Sequence, residues 1–386
     1  MTFIPAYVSY LRTHHITHGT PREPNLSELF RSSVLLANTL SWKPRRADES
    51  MIVGVIRRLD NGMDVYEDAD LQRLARTQMP LDELRSRATM LARSSGRHSQ
   101  DHLAELLVSW FKQSYMNWVD PIRCQLCERG TDSDGSGGAG SSKVKMECIG
   151  QGEVSLMEQV EGGAGRVELW KCQKCGRIER FPRYNDCRML MKTRKGRCGE
   201  FANLFTLFLR AAGFRARYVW NLEDHVWNEY HSESIGRWVH LDPCEGTWNS
   251  HLLYTTNWKK HMTYVFGFST DGCADVTLGY MPSGRLPLGR DKILERDLCR
   301  VIRITTERRR QQRHPGGATV EGDDDWRARL EREDAAERSW LLDWSKRKQE
   351  EADRVAKEAD MNDDSLAGRQ SGQAEWKIER GEAGQE

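Results

Sequence analysis

The sequence predicts an α+β fold with a small cysteine-rich lobe, and three observations carry that prediction. A Gly-Arg-Cys-Gly-Glu segment at 196–200 opens an apolar helical pattern. Two alternating runs, 225–230 and 237–242, follow it and read as paired antiparallel strands. Upstream, two C-x-x-C pairs, Cys124/Cys127 and Cys172/Cys175, read as two metal-binding turns.

In the helix, Phe201, Leu204, Phe205, Phe208, Leu209 and Ala212 recur at the spacing of one face, and Gly213 stands where a C-terminal cap belongs. Cys198 is therefore expected at the helix N-terminus, where free N–H groups and the helix dipole stabilise a thiolate. Gly199 beside it leaves room for a substrate.

The two strand runs supply partners for that thiol. If they pair symmetrically about the turn 231–236, Tyr230 lies opposite Arg237 and His225 lies opposite Asp242. Directly opposed residues are about 5 Å apart at Cβ, close enough for a carboxylate to hold an imidazole. In that arrangement His225 takes the proton of Cys198 and later gives it to a departing nitrogen. Asp242 fixes the imidazole tautomer and stabilises its charged form. Asp224 is the weaker acid, because in an extended strand it points away from the face of His225. Cys187, Cys244 and Cys273 lack a Gly-rich helix start. The bland alternative is a cysteine buried under a helix with two unrelated polar residues.

Zn²⁺ prefers four tetrahedral ligands, and each C-x-x-C turn offers two thiolates at a suitable separation. Cys124, Cys127, Cys172 and Cys175 thus predict one closed, structural zinc site. The gap between the turns is long, and GTDSDGSGGAGSS fills much of it as a linker. Its Gly135 to Gly140 match to G-x-G-x-x-G is set aside, since neither a strand before it nor a helix after it supports a phosphate cradle. Cys148 is a possible substitute ligand. The competing readings are unrelated buried cysteines or a redox pair.

The flanks are less clear. Residues 1 to about 65 give no firm pattern, and 66–95 reads as a helix broken at Pro80. Leu103, Leu106, Leu107, Trp110, Phe111, Tyr115 and Trp118 predict one helix face. After 305 the chain reads as a linker, and then as a charged helix over 325–358. Its thin stripe of Trp326, Leu330, Leu341 and Trp344 either docks in cis or takes a partner. From about 360 it reads as disordered. The expected organisation is 1–95 helical and irregular, 96–304 a core with the zinc lobe at about 120–180, and 305–386 a tail.

A net charge of +1 gives no general attraction to nucleic acid, and no apolar run suits membrane insertion. The first residues lack the pattern of a signal peptide. Ten cysteines in such a chain point to metal binding, catalysis or burial in a reducing compartment, the cytosol or also the nucleus.

FPRYND (181–186), GRCGEFANLF (196–205), ARYVWN (216–221), DHVWNEY (224–230) and RWVHLDPCE (237–245) together resemble the cytoplasmic peptide:N-glycanases. The resemblance spans roughly 100–280 and includes both C-x-x-C pairs. It implies a transglutaminase-like (papain-like) cysteine hydrolase core with a zinc lobe. It implies hydrolysis of the amide joining an N-glycan to asparagine on misfolded glycoproteins in the cytosol, as in ER-associated degradation, with asparagine becoming aspartate. Carried over by residue, its triad falls on Cys198, His225 and Asp242, and its zinc ligands on Cys124, Cys127, Cys172 and Cys175. Its sugar-cleft residues match Trp227, Trp238, Glu245 and Trp258, though core packing would also explain each tryptophan. A ubiquitin-receptor shuttle protein is an implied partner. The alternatives are a transglutaminase-like protease or acyl-transferase, and a zinc-containing glycoprotein-binding scaffold without turnover. The long insert and the tail after 305 depart from the family pattern.

Overall fold

A computed structural model describes residues 50–120, 122–128, 144–313 and 326–357. The expectations for residues 1–49, for the Gly/Ser insert and for the stretch beyond about 360 lie outside the described residues.

The described chain starts on a capped helix. Ser50 Oγ accepts the Ile52 N–H, and α1 (Met51–Asn61) follows, burying Ile52, Val53, Val55 and Ile56 on one face. Asp68 Oδ1 likewise accepts the Leu71 N–H to start α2 (Ala69–Gln78). Pro80 separates α2 from α3 (Leu81–Ser95), as the sequence pattern predicts, and Gly96 ends α3 at φ 71°. The next apolar stripe does not form one helix through Trp118. α4 (Ser99–Trp110) widens into a single π-type turn over Phe111–Tyr115, and β1 (Asn117–Trp118) is extended and pairs with β5 (Lys195–Gly196). The turn buries Phe111 and Tyr115 against Phe201, Phe205 and Phe208, and the β1–β5 pairing takes the chain out of the helix.

The cysteine-rich lobe contains α5 (Gln125–Glu128), β2 (Met146–Gly152), α6 (Leu156–Val160), β3 (Val167–Cys172) and β4 (Ile178–Pro182). The three strands form an antiparallel sheet in the order β2-β3-β4. Val119, Cys124, Met146, Trp170, Cys172 and Phe181 are its small core.

α7 (Cys187–Thr193) leads into β5 and α8 (Cys198–Ala211). Eleven of the residues of α8 are buried, because the helix runs between α1–α4 and the main sheet. Past it, Gly213 takes φ 96°, where a Cβ would be strained, and the Phe214 N–H closes back on the Leu209 carbonyl.

The main sheet joins β6 (Ala216–Asn221), β7 (His225–Ser232), β8 (Arg237–Asp242), β9 (Thr247–Trp248), β10 (Val265–Ser269) and β11 (Gly272–Asp275) in the order β11-β10-β6-β7-β8-β9. Asn228 on β7 donates through Nδ2 to the Ala202 carbonyl and Thr206 Oγ1, which pins α8 to one face. His225, Trp227 and Glu229 alternate onto the other face. There Val219, Tyr254, Trp258, Met262, Val265 and Tyr280 build a second core around Trp227.

Two further helices follow, of which the first corrects the expectation for the tail and the second is the charged helix expected over 325–358. α9 (Glu295–Arg313) continues through the stretch read as a linker from 306. Arg309 holds it in place: its Nε donates to Asp60 Oδ1 at 2.7 Å and its Nη1 to Asp64 Oδ1 at 2.6 Å, although Arg309 itself is buried. Long-range ion pairs outweigh a linker-like composition here. α10 (Trp326–Lys357) packs on the body of the protein. Leu330 and Leu341 are buried, Arg215 clamps Glu333, and Arg310 clamps Asp334. Trp340 and Trp344 stack on one another, and both rings pack at a tilt against His251.

Candidate active site and metal centre

Cys198 is the first residue of α8, and the residues around it explain why the helix starts there. The Arg197 N–H donates to Glu200 Oε2 at 2.9 Å, so the first turn is capped by its own third residue. A Cβ on Gly196 would sit 2.3 Å from Glu200 Cβ, so only glycine fits at that position. A Cβ on Gly199 would meet nothing closer than Arg183 Nη2, at 4.0 Å, so this side of the helix start is open. The Cys198 side chain is half-buried.

Cationic groups crowd this helix start. Arg183 donates from Nε and Nη2 to Glu200 at 2.6 and 2.9 Å, and from Nη1 to Glu168 Oε1 at 3.0 Å. Burial alone would weaken its charge, but Glu200, Glu168 and Cys198 together hold it firmly protonated. Arg197 is fully buried and donates to both oxygens of Glu168 at 2.8 Å. Glu168 lies on β3, so one carboxylate joins the cysteine-rich lobe to the residue before Cys198.

β7 and β8 pair two residues away from the expected register. Tyr230 lies opposite Val239, and Ser232 opposite Arg237, so His225 is not directly opposite Asp242. The four-residue loop 233–236 sets this register: the Gly236 N–H returns to the Ser232 carbonyl and Gly236 takes φ 70°. A slip of two residues keeps every side chain on its face. His225 and Asp242 still meet, diagonally, with Nε2–H donating to Asp242 Oδ2 at 2.9 Å and both side chains fully buried. Asp224 lies in the tight turn before β7 at φ 58°, not in the strand, and is not part of this pair.

Four donors converge on Asp242. Its Oδ1 accepts the backbone N–H of Cys244 at 2.7 Å and of Glu245 at 3.1 Å, and its Oδ2 accepts His225 and the Tyr254 hydroxyl at 2.8 Å. Burial alone would raise its pKa, but the charge and hydrogen bond of His225, with His240 and Tyr254, hold it well below the usual carboxylate range. His225 Nδ1 is buried and has no hydrogen-bond partner. An imidazole anchored at one nitrogen by a carboxylate and unpaired at the other can accept a thiol proton. Burial, then Asp242, then Cys198 push the Cys244 thiol pKa well up, so Cys244 lies within electrostatic reach of both.

The four residues matched to a sugar cleft have different fates. Trp227 is fully buried, donates through Nε1 to the Tyr280 hydroxyl at 2.7 Å, and stacks on His225 with ring centroids 5.7 Å apart. It has no free face for a sugar, which corrects that expectation. The ring of Trp238 is covered by the Arg217 guanidinium at 4.3 Å and packs against His231. Trp258 is 7% exposed and meets the His225 ring edge-on at 5.0 Å. Its Nε1–H is buried without an acceptor beside the catalytic candidates. Glu245 is partly buried, with Lys112 Nζ at 3.7 Å. Tyr254 and His240 went unrecognised in the sequence: Tyr254 belongs to no motif, and His240, although it stands in RWVHLDPCE two residues before Asp242, carries no local sign that Tyr254 links it to that carboxylate.

The four cysteines of the two C-x-x-C turns come together, with all sulfur atoms within 4.8 Å of one another. Cys124 and Cys175 are 3.6 Å apart, and Cys127 and Cys172 are 3.8 Å apart. A tetrahedral ion with metal–sulfur bonds of about 2.3 Å needs sulfurs about 3.8 Å apart, so the set fits a metal ion. Cys148 packs beside the cluster but is not one of the four.

Residues 154–243 match the Transglutaminase-like superfamily. Curated relatives extend the likeness over most of the chain. The "Peptide-N(4)-(N-acetyl-beta-glucosaminyl)asparagine amidase" of Yarrowia lipolytica is 36% identical over 87% of this chain and 85% of its own length. The Saccharomyces cerevisiae protein of the same name is 38% identical over 74% of this chain and 71% of its own. The Gallus gallus protein is 33% identical over 85% of this chain, but only 46% of its own length is covered. A Rad4–Rad23 complex crosslinked to undamaged DNA aligns at a TM-score of 0.38 and 12% identity over 77% of this chain and 60% of its own, too distant to carry any argument.

Proposed function

Because the chain belongs to the peptide-N4-(N-acetyl-beta-glucosaminyl)asparagine amidase family, we propose that it hydrolyses the glycosyl-asparagine amide through Cys198, His225 and Asp242. The observation that carries this reading is the buried His225–Asp242 pair with His225 Nδ1 unpaired, in the same fold as a cysteine at an open helix start.

In this mechanism the Cys198 proton passes to His225 Nδ1, and the thiolate attacks the side-chain carbonyl carbon of the glycosylated asparagine. The carbonyl π electrons move to oxygen. As they return, the C–N bond breaks, and His225 gives its proton to the departing nitrogen. The glycan leaves as a glycosylamine and the peptide stays on Cys198 as a thioester. His225 then takes a proton from water, the hydroxide attacks the thioester, and the Cys198 thiolate departs and recovers the proton. The product is aspartate. Asp242 stays ionised throughout and keeps the imidazole anchored at Nε2.

Glu245 supplies an acceptor and Trp258 Nε1–H a donor for hydroxyl or acetamido groups of the inner sugar. Zinc is the proposed occupant of the four-cysteine site. There it would crosslink the end of β3 and the turn after it to α5 and the residue before it, with no part in bond cleavage. A cytosolic or nuclear setting suits ten free thiols, four of which must stay reduced to bind metal. Misfolded N-glycoproteins are the proposed substrates, and a ubiquitin-receptor shuttle is a proposed partner. Since the apolar stripe of α10 is engaged in cis, that partner would use another surface. The test is incubation with a denatured N-glycoprotein. Free glycan and a shortened protein band are expected, and an intact glycoprotein after prolonged incubation would refute the reading.

A further inference from the structure

We propose that Tyr254 and His240 are positioning residues that hold His225 in the one tautomer the reaction can use. This deepens the assignment of Cys198, His225 and Asp242 and rests on it.

The Ser250 N–H donates to His240 Nδ1 at 3.2 Å, so that nitrogen must be a lone pair. A neutral His240 then carries its proton on Nε2, 2.8 Å from the Tyr254 oxygen. The Tyr254 oxygen accepts that hydrogen bond, and its own O–H must donate to Asp242 Oδ2, at 2.8 Å. Every hydrogen bond in the series therefore points one way, from Ser250 toward Asp242.

The consequence falls on His225. With Cys244 and Glu245 N–H on Oδ1, and Tyr254 and His225 on Oδ2, the carboxylate of Asp242 is filled. It has no room to take up the imidazole proton, which stays on Nε2, and Nδ1 stays free to receive the Cys198 proton. Reversal would require a charged His240, and both of its nitrogens would then be donors, one of them against the Ser250 N–H. Burial also disfavours that charge, lowering the His240 pKa to about 4 against the pull of Asp242. Other titratable groups facing the series are Cys244, Tyr280 and His251, and burial keeps each neutral. Glu229 and Arg217 lie behind Tyr280 as a closed ion pair.

The test compares Tyr254→Phe with wild type in the full chain. One readout is kcat and KM on a glycopeptide. The other is the pH profile of Cys198 alkylation by iodoacetamide, which needs no amidase turnover. Without the tyrosine donor, Asp242 holds the His225 imidazolium more tightly and it gives up its proton less readily. The alkaline limb of alkylation should move up by about half to one pH unit. The kcat should fall about tenfold, with KM within about twofold, from the loss of one hydrogen bond to a charged group. His240→Gln retains an acceptor for Ser250 and a donor for Tyr254, and should stay within about threefold of wild type with an unmoved limb. An unmoved limb in Tyr254→Phe, whatever its Tm, overturns the proposal. Should that variant not fold, ¹⁵N-histidine spectra of the wild type decide instead: His240 must be the neutral Nε2–H tautomer at pH 7, and an Nδ1–H or charged His240 overturns it. A shifted limb in a protein that never turns over glycopeptide would sink the substrate assignment and leave these positioning roles standing.

Discussion

Replacing Glu168 by Gln should cost about 3–5 kcal/mol of stability, because it removes the charge of a buried carboxylate that two guanidinium groups share. The wild-type carboxylate accepts two hydrogen bonds from Arg197, one from Arg183 and one from the Trp170 indole, and is itself 4% exposed. In Glu168→Gln the amide NH₂ faces a guanidinium, donor against donor. Arg183 keeps Glu200, whereas Arg197, which is buried, keeps the Val119 carbonyl, to which its Nε donates at 2.9 Å, but loses a carboxylate bound at both oxygens. At about 2–4 °C per kcal/mol for a fold of this size, Tm should drop by about 6–20 °C. The effect also has a pH signature. Burial pushes the Glu168 carboxyl up, but Arg197 and Arg183 outweigh it and hold the pKa below the usual range. A carboxylate with a lowered folded pKa stabilises fully above its unfolded value of about 4.3 and loses that contribution as pH falls through the folded value. The Tm gap between wild type and variant should therefore be full at pH 7 and shrink below about pH 4. Thermal unfolding followed by circular dichroism at both pH values checks it. A Tm within about 2 °C of wild type at pH 7 would refute the claim that this carboxylate joins the lobe to the nucleophile helix.

Cys198→Ala should abolish glycan release with Tm unchanged to within a few degrees, and retained turnover would remove Cys198 from the mechanism. Purified protein should carry one metal ion per chain by elemental analysis, and Cys175→Ser or a strong chelator should lower Tm before it slows alkylation of Cys198. Cutting the chain after Ile304 should give an unfolded or inactive product, because it severs α9 ahead of Arg309; soluble, active protein would contradict that helix. Glu245→Ala and Trp258→Phe should raise KM for glycopeptide several-fold while iodoacetamide reactivity is kept, and unchanged KM in both would return those residues to core packing.

Local signals were legible where the chemistry is local. The helix of Cys198 could be read because its cap, its apolar face and its terminal glycine all lie within 18 residues of one another. The meeting of the four cysteines could be read from turn spacing despite the long insert. The β7–β8 register could not, because it depends on how many residues the loop 233–236 uses, and periodicity of two is blind to a shift of two. Long-range ion pairs were invisible as well. Arg309 looks like part of a polar linker until Asp60, more than 200 positions earlier, is seen beside it. Trp227 illustrates a third limit: the family resemblance matched it to a sugar cleft, whereas the second core closes over its face of the strand. Tyr254 and His240 matter only through Asp242: nothing in the sequence around Tyr254 marks it, and His240, though in the same motif as Asp242, is joined to it only by way of Tyr254.

The central claim is that Cys198 attacks the asparagine side-chain carbonyl, so that the amide and not the sugar linkage is cut. Hydrolysis of a defined N-glycopeptide in H₂¹⁸O tests this most directly, read by fragmentation mass spectrometry. The expected product is aspartate at the glycosylation site with one heavy oxygen in its side-chain carboxyl, and Cys198→Ala should leave the glycopeptide untouched. Recovery of asparagine at that site, bare or with a residual sugar, would contradict it.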